Sequence, residues 1–139
     1  MIEILVIDDN PADTLLFQRF LSQYCGVGVT IAHDGEEALA LLAGSQYKPN
    51  LILLDLKMPK MNGHEVLRRV RRKIAPKTPI IVMSGSRNLD DISQAYACGA
   101  NAYVEKPSEL DSHREIIQSM ARLWIEPLLR DQQEQQSPL

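Results

Sequence analysis

The sequence predicts an α/β fold: one parallel sheet with helices on both faces. Three observations carry this. Short apolar runs alternate with helix-period segments five times along the chain. The runs Leu51 to Leu54 and Ile80 to Met83 are apolar at every position, as strands buried on both faces must be. Asn, Asp, Gly and Pro punctuate the boundaries, and parallel strands can be joined only by crossovers, which are right-handed.

Taken in order, Ile2 to Ile7 read as the first strand, Asn10 as an N-cap, Pro11 as the first helical residue and Asp13 as a first-turn acid. The helix that follows carries Ala12, Leu15, Leu16, Phe20 and Tyr24 near a 3.6 period, with Gln18, Arg19 and Gln23 outside the stripe. Val27 to Ala32 is the second strand. Asp34 with Glu37 forms a capping-box analogue, and that helix runs to Gly44. After the third strand a loop stiffened by Pro59 leads to a helix from about Gly63 to Lys73. The fourth strand is Ile80 to Met83, and a helix over Asn88 to Ala97 is closed by Gly99. Ala102 to Val104 is a short fifth strand. A last helix spans about Leu110 to Arg130, with Pro127 expected to kink or end it and the tail DQQEQQSPL expected to fray.

The 139 residues suit one domain, and 45% hydrophobic with 24% charged residues is ordinary for a soluble globular chain. A net charge of −3 argues against a nucleic-acid binder, which needs clustered cations. The one basic run, RRVRRK at 68–73, falls on a helix whose Val66, Leu67 and Val70 face inward, so it reads as a solvated face. Cys25 and Cys98 lack metal or disulfide spacing and read as free thiols. The N-terminal apolar stretch, Ile4 to Ile7, is too short for a signal or membrane segment, so a cytoplasmic protein is expected.

In open parallel sheets ligands sit beyond the carboxyl ends of the strands. The residues there are Asp8 and Asp9 after the first strand, Asp55 after the third, Ser84 and Gly85 after the fourth, and Lys106 and Pro107 after the fifth. Three clustered carboxylates repel one another unless a cation offsets them. Mg²⁺ would do so while keeping positions for phosphate oxygens. Asp55 could then attack phosphorus to form an acyl phosphate, with Lys106 balancing the phosphoryl charge and Ser84 donating a hydrogen bond. Taken singly, each residue has a plainer reading: solvated loop acids, a turn serine, a structural ion pair. Their conjunction at one edge favours the chemistry.

The motifs VIDDNP at 6–11, LLDLKMPKMNG at 53–63, VMSGS at 82–86 and GANAYVEKP at 99–107 resemble those of the receiver domain of two-component response regulators, over about residues 2–125. The resemblance implies a three-layer flavodoxin-like (βα)5 domain with strand order 2-1-3-4-5 and an extended C-terminal helix. It also implies that Asp55 is the phosphoacceptor, that Mg²⁺ is held by Asp8, Asp9, Asp55 and the backbone carbonyl of Lys57, and that Lys106 contacts the phosphoryl group. Ser84 and Tyr103 take the switch positions, and the Lys106–Pro107 bond is expected to be cis. A sensor histidine kinase is the implied phosphodonor, and a protein partner the implied target.

The residues two after Asp55 and two after Ser84 are Lys57 and Ser86, positions that tune phosphoryl lifetime in this family. A receiver over 1–126 leaves only 127–139, too short for an output domain, so a stand-alone receiver is expected. Ile116, Ile117, Met120, Leu123 and Trp124 can form a core stripe. Trp124, Ile125, Leu128 and Leu129 give a candidate dimer surface. The NPAD opening and the Trp-bearing extension look like response regulators paired with bacterial phytochromes. An aspartyl-phosphate phosphatase or phosphotransferase is the competing reading. Hydrolases of the haloacid dehalogenase type want an acid where Lys57 stands, which weighs against it, and a phosphorylation-dead scaffold would not need the full residue set.

Overall fold

The computed structural model describes residues 1–136 except Ser45, Pro59, Ala75 and Ser108, so the expected stiffening by Pro59 and the last three residues of the tail lie outside the described residues. Five parallel strands, β1 (Ile2–Ile7), β2 (Val27–Ala32), β3 (Leu51–Asp55), β4 (Ile80–Ser84) and β5 (Ala102–Glu105), lie in the order β2-β1-β3-β4-β5. The helices are α1 (Pro11–Leu21), α2 (Gly35–Ala43), α3 (Gly63–Arg69), α4 (Leu89–Ala97), α5 (Leu110–Met120) and α6 (Glu126–Gln136). Two π-helical stretches, Val70–Ile74 and Ala121–Ile125, extend α3 and join α5 to α6.

Alternation along the central strands builds two cores. Ile52 and Leu54 face α2 and α3 with Leu5, Ile7 and Val82, whereas Leu51 and Leu53 face α1 and α5 with Ile4, Val6 and Met83. Caps set where helices begin. Asn10 Oδ1 accepts from the amides of Ala12 and Asp13. Asp34 Oδ1 accepts from the Glu37 amide at 2.8 Å while the Glu37 carboxylate returns to the His33 amide at 3.1 Å.

Several sequence expectations are corrected. β3, β4 and β5 each run one residue further than the apolar pattern indicated, because Asp55, Ser84 and Glu105 still pair in the sheet. The buried face of α1 is Thr14, Phe17, Phe20 and Leu21, and Leu15 is 64% exposed: the Asn10 cap sets a phase that carries Leu15 outward. Arg71 is not solvated, since its guanidinium bonds the Gly99 and Thr78 carbonyls. Leu123 is exposed and Ile125 buried, because the wider π turn rotates the apolar stripe. The helix continues past Pro127 to Gln136. Pro127 stands in the first turn of α6 directly after the π stretch, where a missing amide hydrogen is tolerated.

Candidate functional site

Sheet register delivers the site. Ile7 pairs with Leu54 and Asp55 with Met83, so Asp8, Asp55 and Ser84 emerge at one edge. Ser84 pairs with Glu105, and the Lys106 amide donates to the Ser84 carbonyl at 2.8 Å, which places the lysine beside them.

Oxygens of Asp8, Asp9 and Asp55, one from each, all lie within 4.8 Å of one another. Asp8 and Asp55 are buried and Asp9 is exposed, leaving one open side. An all-oxygen carboxylate set fits a hard divalent cation, which would also offset the mutual repulsion. Lys106 Nζ supplies a charge of the protein's own, 2.7 Å from Asp8 Oδ2 and 3.3 Å from Asp55 Oδ2. Burial pushes the Asp8 carboxyl up to about 6 despite the opposing Lys106 ammonium and the Asn10 amide, and the neighbouring Asp55 charge adds to the rise. Burial alone would lower the Lys106 ammonium, but Asp13, Asp8 and Asp55 together hold it above the ordinary lysine value.

The two Asp55 oxygens have different partners. Oδ2 faces the lysine, and Oδ1 accepts from the Lys57 amide at 3.1 Å. The Lys57 side chain points to solvent. The loop beyond is clamped onto α3: the Gly63 amide donates to the Leu56 carbonyl at 3.1 Å, and a Cβ on Gly63 would stand 2.4 Å from the Leu56 Cα. Only glycine permits that approach.

Ser84 is fully buried, and its Oγ accepts from the Ser86 amide at 3.3 Å. Tyr103, on β5, is half-buried and reaches Ser86 rather than Ser84. Among the described residues no peptide bond is cis, so the expected cis Lys106–Pro107 bond is corrected to trans. Trans is the ground-state preference even before proline, and the long lysine side chain covers the remaining distance to the acids.

Two site residues escaped the sequence reading. Asp13 Oδ2 lies 2.6 Å from Lys106 Nζ, and Asp13 Oδ1 lies 3.3 Å from Nε2 of the buried His113. A first-turn acid on the helix leaving the Asp8-Asp9 strand was the available signal for Asp13. Nothing local marked His113, which α5 carries in from another part of the chain.

A family model for the response regulator receiver domain matches residues 4–118. The chain belongs to that family. The receiver is 34% identical over 130 residues to the response regulator Rcp1 of Synechocystis, covering 88% of each chain. It is 30% identical over 128 residues to a probable methanogenesis regulatory protein, FilR2, of Methanothrix harundinacea, covering 88% of this chain and 83% of that one. Among solved structures, the phosphorylated cyanobacterial phytochrome response regulator RcpA superposes with a TM-score of 0.84 at 34% identity, over 88% of this chain and 93% of that one. The Mn²⁺-bound form of Rcp1 gives 0.84 at 32%, over 91% and 96%. The receiver is thus a module of phosphorylation-dependent two-component signalling, with the strand order and C-terminal helix that its sequence led one to expect. Among the described residues no helix is long and apolar enough to cross a membrane.

Proposed function

We propose that this receiver accepts a phosphoryl group on Asp55 from a sensor histidine kinase and signals by binding another protein. The observation that carries the proposal is the Lys106 ammonium held between Asp8 and Asp55 at the edge where three carboxylates meet. An Asp55 oxygen attacks phosphorus, the bond from phosphorus to the donor nitrogen breaks, and the imidazole leaves with its electron pair. The product is an acyl phosphate, and attack of water on phosphorus returns the carboxylate and inorganic phosphate. Asp8, Asp9, Asp55 and the Lys57 carbonyl would hold Mg²⁺, which when bound neutralises phosphoryl oxygens. Lys106 balances the charge arriving on Asp55, Ser84 offers its hydroxyl, and Tyr103 responds through the loop it grips. The chain thereby assists its own phosphoryl transfer and dephosphorylation without turning over an external substrate.

Intact-mass measurement after incubation with Mg²⁺ and a small phosphodonor tests this. A single phosphoryl adduct in wild type, absent from Asp55→Asn, is the expected result; an adduct that survives the substitution removes the assignment.

We infer further a cytoplasmic, homodimeric receiver unit over about 1–126 paired with a phytochrome kinase; the likeness to a cyanobacterial phytochrome response regulator supports the last of these. Trp124, Leu128 and Leu129 are half-buried and retain some outward apolar surface, whereas Ile125 is 1% exposed within the chain's own core and drops out of the dimer surface. Light scattering on wild type and on Trp124→Ala with Leu128→Ala decides pairing, and a monomer mass for both ends it.

A further inference from the structure

Asp13 is held from two sides. Its Oδ2 is 2.6 Å from Lys106 Nζ, closer than Asp55 Oδ2 at 3.3 Å. Its Oδ1 is 3.3 Å from His113 Nε2, an ion-pair distance without aligned hydrogen-bond geometry. His113 is fixed in turn. Its Nδ1 lies 2.8 Å from the carbonyl of Glu109, the residue capping α5, and a carbonyl can only accept, so Nδ1 donates and Nε2 offers Asp13 a proton only in the protonated ring. The ring is 5% exposed and cannot leave without opening the seam between α1 and α5.

We propose that Asp13 is a positioning residue that holds Lys106 back from Asp55 in the unphosphorylated receiver, and that His113 strengthens the hold when its ring is protonated and Nε2 presents a proton to Asp13. This deepens the reading of Asp55 as phosphoacceptor and rests on it. A phosphoryl group entering at Asp55 draws the ammonium toward its oxygens and away from α1. An interaction stronger in the ground state than in the transition state slows the step it precedes. Asp13 therefore restrains phosphorylation. Because Asp13 sits on α1 and His113 on α5, a shift of α5 against α1 changes the grip on the lysine.

The test is the phosphorylation rate constant with acetyl phosphate at saturating Mg²⁺, followed by intact mass, in Asp13→Asn, His113→Asn, His113→Gln and the double variant Asp13→Asn/His113→Asn. Asp13→Asn is expected to react about threefold faster or more. His113→Asn keeps an amide near the Glu109 carbonyl but loses the group facing Asp13, and moves the rate the same way by less. His113→Gln can still present a donor toward Asp13 and stays near wild type. The double variant is no faster than Asp13→Asn alone, since both act through one contact. An unchanged or slower Asp13→Asn overturns the restraint, and additive effects overturn the role of His113.

A second readout needs no phosphorylation. Trace acetylation of Lys106, quantified on its peptide, is expected to rise about twofold or more in Asp13→Asn as the ammonium loses its nearest carboxylate. Wild-type reactivity there overturns the tether. If instead wild type takes no phosphoryl group, or Asp55→Asn still does, the phosphoacceptor reading falls and lysine labelling decides the tether alone.

Discussion

Tyr103 Oη donates a hydrogen bond to the Ser86 carbonyl at 2.9 Å, fastening β5 to the loop between β4 and α4. The fastening is shared: Ser86 Oγ donates to Asp91 Oδ2 at 2.6 Å and accepts from the Asn88 amide at 3.1 Å. The Tyr103 amide also donates to Tyr96 Oη at 3.1 Å. The loop that leaves Ser84 is thus held by side chains on both neighbouring elements, so whatever moves Ser84 must work against Tyr103.

Tyr103→Phe removes that bond and leaves the ring. The expected loss of global stability is about 0.5–1.5 kcal/mol, the usual net worth of one neutral hydrogen bond. Hydrogen exchange at the amides of Gly85, Ser86 and Arg87 is expected to accelerate more than exchange in β1 or β3. Equal protection in both proteins would show that the tyrosine does not hold the loop.

Arg71 ties the end of α3 to the far side of the sheet. Its Nε and Nη2 donate to the Gly99 carbonyl at 3.0 and 2.8 Å, Nη1 to the Thr78 carbonyl at 2.7 Å, and Nη2 to Asn101 Oδ1 at 2.6 Å. Asn101 Oδ1 also accepts from the Ile80 amide at the start of β4. A lysine has no planar fork and cannot reproduce this set. Arg71→Lys is expected to cost about 2–3 kcal/mol in urea unfolding. A cost under about 0.5 kcal/mol, that of an ordinary surface change, contradicts this account.

Arg71 also shows where sequence reading stops. A run such as RRVRRK looks the same whether an arginine meets water or carbonyls, because the partners come from residues 76–101. Asp8, Asp55, Ser84 and Lys106 were legible for the opposite reason: each follows an apolar strand, and parallel register carries strand ends to one edge. Asp13 was half legible, as a helix-start acid whose lysine lies 93 positions on (106 − 13). The C-terminal helix was misread in phase because a π stretch leaves no residue-type signature, so Leu123 and Ile125 exchanged roles.

His64 gives the fold a pH dependence. It is 7% exposed in the first turn of α3, and its Nδ1 has no hydrogen-bond partner. Burial holds its pKa below the ordinary 6.5, against the upward pull of Asp91. The unfolded chain therefore binds a proton near pH 6.5 that the folded chain refuses until lower pH. The stability His64 contributes is full above that value and is lost as pH falls from it toward the folded pKa. Urea unfolding at about pH 7.5 and 5.5 should show a larger acid loss in wild type than in His64→Gln. Parallel losses in the two proteins would assign the acid sensitivity elsewhere.

Lys106→Met separates the lysine's charge from its bulk. The wild-type side chain is 13% exposed, against 3% for Asp8 and 8% for Asp55, so the methionine leaves buried carboxylates facing one another without their cation. Breaking such a pair costs about 3–5 kcal/mol when both partners are fully buried. Partial solvent access here reduces the expected loss to about 2–4 kcal/mol in the presence of a chelator. A divalent ion held by Asp8, Asp9 and Asp55, as proposed above, would supply the missing positive charge to the folded state alone and stabilise it by mass action. Saturating Mg²⁺ should therefore stabilise Lys106→Met more than wild type and narrow the gap between them. A gap that Mg²⁺ leaves unchanged would mean that the ion and the ammonium do not act on the same carboxylates.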